Sequence, residues 1–222
     1  MKEKDNKKKI LLILVALIIL IVLIAGVTYA VFTYSKEGEK VNSISTGTVT
    51  MTYNEGENGV SITDALPMED CTGEKLLGEE EVFNFTTSIN MKGNFEISYE
   101  VTASKDASST LEDNGIRIYL EKSEDKGAYS KVFGPYGYTP IGETDEFGAG
   151  ANEMILDVGT VNKTTEYSYK LRMWVSNDYK TNDVSKSYTV KINVYGKDGA
   201  VDLSKYNRSN LLNSNVNCTN NN

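Results

Sequence analysis

The chain of 222 residues predicts an all-β protein, a jelly-roll-like β-sandwich of about nine strands preceded by an N-terminal hydrophobic helix. Three observations lead there. One unbroken apolar run, Ile10 to Val27, follows Lys7-Lys8-Lys9. Beyond it, apolar residues recur with period two rather than 3.6, the mark of half-buried strands. Clusters of Gly, Asn, Asp and Ser punctuate these stretches, as turns between short strands require.

The apolar run comes first. It exceeds the ~7–15 residues of a signal-peptide core and approaches the ~20 that span a bilayer as a helix. Its basic end stays on the cytoplasmic side, and the residues C-terminal to the run are translocated. Two states are open. A signal peptidase cuts after Thr28-Tyr29-Ala30, where Thr28 and Ala30 satisfy a small-x-small rule, or the helix stays as a membrane anchor. Gly26, Val27 and Thr28 weaken helix beside the cut, which favours cleavage. Residues 31–42 then form an extended segment, 43–202 the sandwich, and 203–222 an Asn- and Ser-rich tail. Either way the domain is extracellular or on the cell surface, and signal peptidase and the membrane are its partners during export. No Leu-Pro-x-Thr-Gly-type motif or hydrophobic stretch marks the tail for covalent wall attachment.

The strands come next, in chain order. Val49, Met51 and Tyr53 alternate with Thr48, Thr50 and Thr52, and a short strand spans Val60 to Thr63 after a Gly- and Asn-rich turn. Val82 to Ile89 and Phe95 to Ala103 read as a hairpin, with Phe95, Ile97, Tyr99, Val101 and Ala103 on the core face and Glu96, Ser98, Glu100 and Thr102 on the wet one. Ile116, Ile118 and Leu120 mark the next strand, then Tyr129 to Phe133, then Met154 to Val161. Tyr167, Tyr169, Leu171, Met173 and Val175 alternate with Ser168, Lys170, Arg172 and Trp174. Tyr188, Val190, Ile192 and Val194 close the series. One apolar face per strand implies two sheets packed face to face.

Composition limits the chemistry. Setting aside the five lysines and two acids of the export segment leaves 18 basic and 29 acidic residues, a net charge near −11. Such a surface repels phosphate backbones, so nucleic acid is not an expected partner. The chain has no histidine. That removes Ser-His-Asp and Cys-His catalysis and His-ligated zinc. No enzyme activity, no cofactor and no metal are expected. Cys71 and Cys218 either form a disulfide, favoured by an oxidising compartment, or remain two thiols. The aromatic, Gly-rich stretch Phe133-Gly134-Pro135-Tyr136-Gly137-Tyr138 is the candidate ligand loop, through Phe133, Tyr136 and Tyr138, unless its rings pack on the sandwich end. Acidic turns at Glu69-Asp70, Ser123-Glu124-Asp125 and Glu143-Thr144-Asp145-Glu146 match no EF-hand loop.

Gly26-Val27-Thr28-Tyr29-Ala30-Val31-Phe32-Thr33, followed by Ser45-Thr46-Gly47-Thr48-Val49-Thr50-Met51, resembles the start of the TasA and camelysin family of biofilm matrix fibre proteins from Gram-positive bacteria. The closing stretches Leu171 to Val175 and Tyr188 to Gly196 look like the ends of small exported proteins of this kind. The resemblance implies a jelly-roll subunit, released by a dedicated signal peptidase, that self-associates into filaments. It implies that the freed segment, with Val31, Phe32, Thr33 and Tyr34 as donor strand, lies in a neighbouring subunit. Phe32 and Tyr34 would then fill one face's pockets. Such head-to-tail contact propagates as an open filament. The other reading of 31–40 is a plain linker between anchor and domain. A second open function is an anchored surface sandwich that binds a glycan or other extracellular ligand. Camelysin's classification as a metallopeptidase does not carry over, because this chain lacks His-Glu-x-x-His.

Overall fold

The computed structural model describes residues 41–45, 49–55, 60–63, 65–78, 81–94, 96–180 and 185–206. The expected export segment, the cleavage site Thr28-Tyr29-Ala30, the donor strand Val31 to Tyr34, and Cys218 lie outside them. Among the described residues, no helix is long and apolar enough to cross a membrane.

Ten strands are described: β1 (Val41–Ser45), β2 (Val49–Glu55), β3 (Val60–Thr63), β4 (Val82–Met91), β5 (Ile97–Lys105), β6 (Ile116–Glu124), β7 (Ser130–Tyr136), β8 (Glu153–Val161), β9 (Thr165–Val175) and β10 (Ser187–Asp198). One short helix, α1 (Asp70–Gly73), and two 3₁₀ turns, Asp113–Gly115 and Leu203–Tyr206, accompany them. The nine expected strands are all present. β1 is additional.

The pairing is that of a jelly roll. β3 pairs with β10, β4 with β9, β5 with β8 and β6 with β7, all antiparallel. These four pairs form one long ribbon, which rolls up and gains the contacts β10 to β5 and β9 to β6. The result is a four-stranded sheet, β3-β10-β5-β8, facing a larger one. β1 and β2 extend the larger sheet beyond β4, giving β1-β2-β4-β9-β6-β7.

The core lies between the sheets. Phe85, Ile118, Leu120, Tyr169 and Leu171 of the larger sheet meet Tyr99, Val101, Leu156, Tyr188 and Ile192 of the smaller. Phe85 and Tyr169 stack with centroids 4.6 Å apart. Each large apolar side chain so buried stabilises by roughly 1.5–3 kcal/mol. A β-bulge interrupts the β5–β8 register at Val101/Thr102. The extra residue re-aims Asp157. Its Oδ2 accepts hydrogen bonds from the Tyr99 and Tyr169 hydroxyls and from Lys122 Nζ at 2.7 Å. Burial, then the Asp157 carboxyl, pushes both tyrosines well above the ordinary phenol range.

The wet face expected for β5 is corrected by the structure. Glu96 is exposed, but Ser98, Glu100 and Thr102 are 0% exposed. A second apolar cluster covers that outer face: Phe147, Ala149, Val158 and Tyr195, backed by Ile141, Val201, Leu203 and Tyr206. It draws on the 137–152 loop and the segment ending in the second 3₁₀ turn. One end of the outer face of the larger sheet, at Arg172 and Trp174, is also covered. Trp174 is 1% exposed and donates from Nε1 to Asp70 Oδ1 of α1 at 3.0 Å. Gly73 lies against its indole so closely that a Cβ would sit 2.2 Å from the ring.

Candidate functional site

Two concave features stand out among the described residues. The larger is a cavity of about 730 Å³ at the end of β7, walled by the 137–152 loop, β8 and the second 3₁₀ turn. Its geometry starts from β7. Gly134, at φ 78°, faces Ile118 O so closely that a Cβ would sit 2.0 Å from it, so only glycine fits this bend. The bend sits where the β6–β7 register shifts. Just beyond it, Tyr136 is half-buried against the edge of Phe133, with centroids 5.7 Å apart and planes at 77°. Burial raises the Tyr136 hydroxyl pKa above its usual value.

The loop then returns along β8. Ile141 N–H donates to Glu153 O and Gly142 N–H to Ala151 O. Asp145 Oδ1 accepts the backbone N–H groups of Phe147, Gly148 and Ala149 at 2.9–3.0 Å, which folds the tip into a fixed turn. Glu143, Thr144, Asp145 and Glu146 line one wall. Tyr206 and Lys205 also line the cavity, both beside Glu146. Glu146 is pulled below the ordinary carboxylate range, first by its hydrogen bond from Lys197 at 2.8 Å. Tyr206 donates to the same carboxylate at 3.3 Å. The cavity thus joins two partly exposed aromatic rings to carboxylate and hydroxyl groups, a combination suited to a ligand with both apolar faces and hydroxyls.

The three candidate loop aromatics have different places. Tyr136 presents a partly exposed ring to the cavity. Phe133 lies at its floor, 2% exposed. Tyr138 points into the fold at 6% exposure. Its hydroxyl accepts Lys105 N–H and sits between the carbonyls of Ala103 and Asn152, tying the loop to β5. Tyr206, Ile141 and Ile155 complete the cavity, and no local sequence signal pointed to them.

The second feature is a groove of about 390 Å³ at β3, an edge of the smaller sheet. Among the described residues, β3 pairs on one side only, with β10. The groove is lined by apolar side chains such as Ile62, Ala65, Met68, Leu76, Phe83 and Met173 and, in about equal measure, by polar groups that include Ser61, Thr63 and Glu81. Leu66 and Leu77, adjacent in sequence to two of these, are 69% and 81% exposed.

The acidic turns at Glu69-Asp70 and Ser123-Glu124-Asp125 are occupied by protein partners. Asp70 accepts from Trp174, Glu69 from Asn177, and Asp125 from Glu166 N–H. Among the described residues, no group of three or more Cys, Asp or Glu side chains is placed to hold a metal ion. Cys71, half-buried in α1, is not a free thiol.

No family model matches the chain, and no curated protein matches it in sequence. Likeness to solved structures is distant. The GH26-CBM35 β-(1,4)-mannanase of Podospora anserina is 12% identical at a TM-score of 0.29, over 68% of this chain and 28% of that one. TmCBM61, solved in complex with β-1,4-galactotriose, is 9% identical at a TM-score of 0.25, over 67% of this chain and 88% of that one. A ruminal GH26 endo-β-1,4-mannanase is 11% identical at a TM-score of 0.25, over 66% and 27%. This chain spans little more than a quarter of the two mannanase chains. Likeness at this level carries no argument, and the jelly roll rests on the strand pairing alone.

Proposed function

We propose that the protein is a non-enzymatic, exported structural subunit that assembles head-to-tail into extracellular filaments. The observation that supports this most is the groove beside the edge strand β3. An edge strand paired on one side only among the described residues, beside a groove and two exposed leucines, is a liability in a solitary protein and an asset in an assembling one. The occupant is the Val31 to Lys40 segment of a second copy, which in sequence directly precedes β1. Four residues suffice to pair with β3, and Val31 to Tyr34 supply them, with Phe32 and Tyr34 on one face. The intervening Ser35 to Lys40 reach roughly 20 Å when extended. The resemblance to the TasA and camelysin family gives the same mode of assembly.

Phe32→Asp tests this. The variant domain keeps its fold, judged by circular dichroism, and stays monomeric at the cell surface. Normal filament growth in that variant sinks the reading.

The cavity at Tyr136 favours a second function, binding of a carbohydrate at the surface. A sugar ring stacks on the partly exposed Tyr136 or Tyr206, and the carboxylates of Glu143 and Glu146 accept its hydroxyls. Tyr136→Ala lowers oligosaccharide affinity by roughly tenfold or more, the worth of one well-packed aromatic contact. Unchanged binding across a glycan panel, or none with either protein, removes this function.

A further inference from the structure

On the outer face of the smaller sheet, the carboxyl of Glu100 is 0% exposed, and among the described residues neither of its oxygens meets an N–H or O–H donor. Asp145 Oδ2 is also buried without such a donor. Asp145 Oδ1, by contrast, already accepts three backbone N–H groups from the loop tip. The two side chains lie within hydrogen-bonding reach of each other, and two bare carboxylates so placed out of water cannot both persist, because each repels the other and neither is solvated. One proton satisfies both at once. Carried by Glu100, it makes that side chain a donor to Asp145.

We propose that a single proton shared between Glu100 and Asp145 latches the 137–152 loop, and with it one wall of the cavity, onto the outer face of the sandwich. The latch is independent of either function proposed above. Its surroundings hold the proton in place. Asp145 and Glu146 face Glu100 from the loop, Glu153 from β8, and Tyr206 from the second 3₁₀ turn. Tyr195 on β10 is its register partner. Glu153 is already satisfied by Gly150 N–H, Tyr195, Thr102 and Asn193, so it offers Glu100 no donor. The nearby lysines, Lys197 and Lys205, are engaged by Glu146. Burial first, then the hydrogen bond and charge of Asp145, pushes Glu100 up to about 10.

Carboxyl-carbon NMR of the protein across pH 4–10 reads this directly. One Glu resonance stays in its protonated position at neutral pH and is absent from Glu100→Gln. The amide signals of Phe147, Gly148 and Ala149 shift with the same alkaline midpoint. In Asp145→Asn, which serves if Glu100→Gln fails to fold, the midpoint falls because the neighbouring charge is gone. Wild type also loses stability relative to Glu100→Gln as pH rises from about 4.5 toward 10, up to tenfold in the unfolding constant per pH unit. The sign follows from a folded-state value raised above the unfolded one. The proposal is overturned if every Glu titrates in the ordinary range, or if the two stability curves run parallel. It is equally overturned if millimolar Ca²⁺ stabilises wild type and abolishes the protonated resonance, since a cation would then hold the two carboxylates together.

Discussion

Lys122→Met probes the buried charge at the centre of the sandwich. Lys122 Nζ lies 2.7 Å from Asp157 Oδ2, with the two side chains 15% and 0% exposed. Its ammonium also sits over the rings of Tyr167 and Tyr99, at 4.7 and 5.5 Å from their centroids. Met keeps most of the stem's packing and removes the charge together with the hydrogen bonds that Nζ donates to Asp157 and to the Tyr99 hydroxyl. Asp157 then loses the cation beside it in the core and keeps the Tyr99 and Tyr169 hydroxyls among its donors. Breaking a buried pair from one side costs ~3–5 kcal/mol. In a domain of this size each kcal/mol moves the midpoint by ~2–4 °C, so Tm falls by about 10 °C. Thermal unfolding followed by far-UV circular dichroism measures it. Adding Asp157→Asn to the variant recovers part of the loss, because an amide needs no counter-charge. A fall within about 2 °C, or a double variant no better than the single, refutes the reasoning.

Two further outcomes concern the cover over the larger sheet. Gly73→Ala forces a methyl into the Trp174 ring and destabilises by ~1–3 kcal/mol. The fluorescence of this single tryptophan reports it, and an unshifted spectrum with unchanged stability counts against the packing described. Peptide mapping without reduction finds Cys71 joined to Cys218, and reduction lowers stability by up to ~5 kcal/mol in the chain-entropy model. An alkylated Cys218 peptide from unreduced protein contradicts that pairing.

Strand positions were legible where alternation was strict, as in Tyr167 to Val175 and Ile116 to Leu120. β1 was not, because Val41-Asn42-Ser43-Ile44-Ser45 holds only two apolar residues and gains its place by pairing with β2. Alternation also assigned Ser98, Glu100 and Thr102 to solvent. It reports which side of a strand a residue takes, not what lies over that side. Here a loop some forty residues downstream covers them. Asp157 escaped notice because a bulge shifts the register, which a period-two reading does not detect. Tyr136 was visible in its Gly-rich, aromatic stretch. Its partner Tyr206 was not, since segments about seventy residues apart meet only in the fold.

Sedimentation velocity on protein starting at Val31, beside protein starting at Val41, tests the assembly account most directly. The account predicts polymers from the first and folded monomers from the second, because only the first carries the strand that fills the β3 groove. Equal behaviour of the two, whether both polymeric or both monomeric, contradicts it.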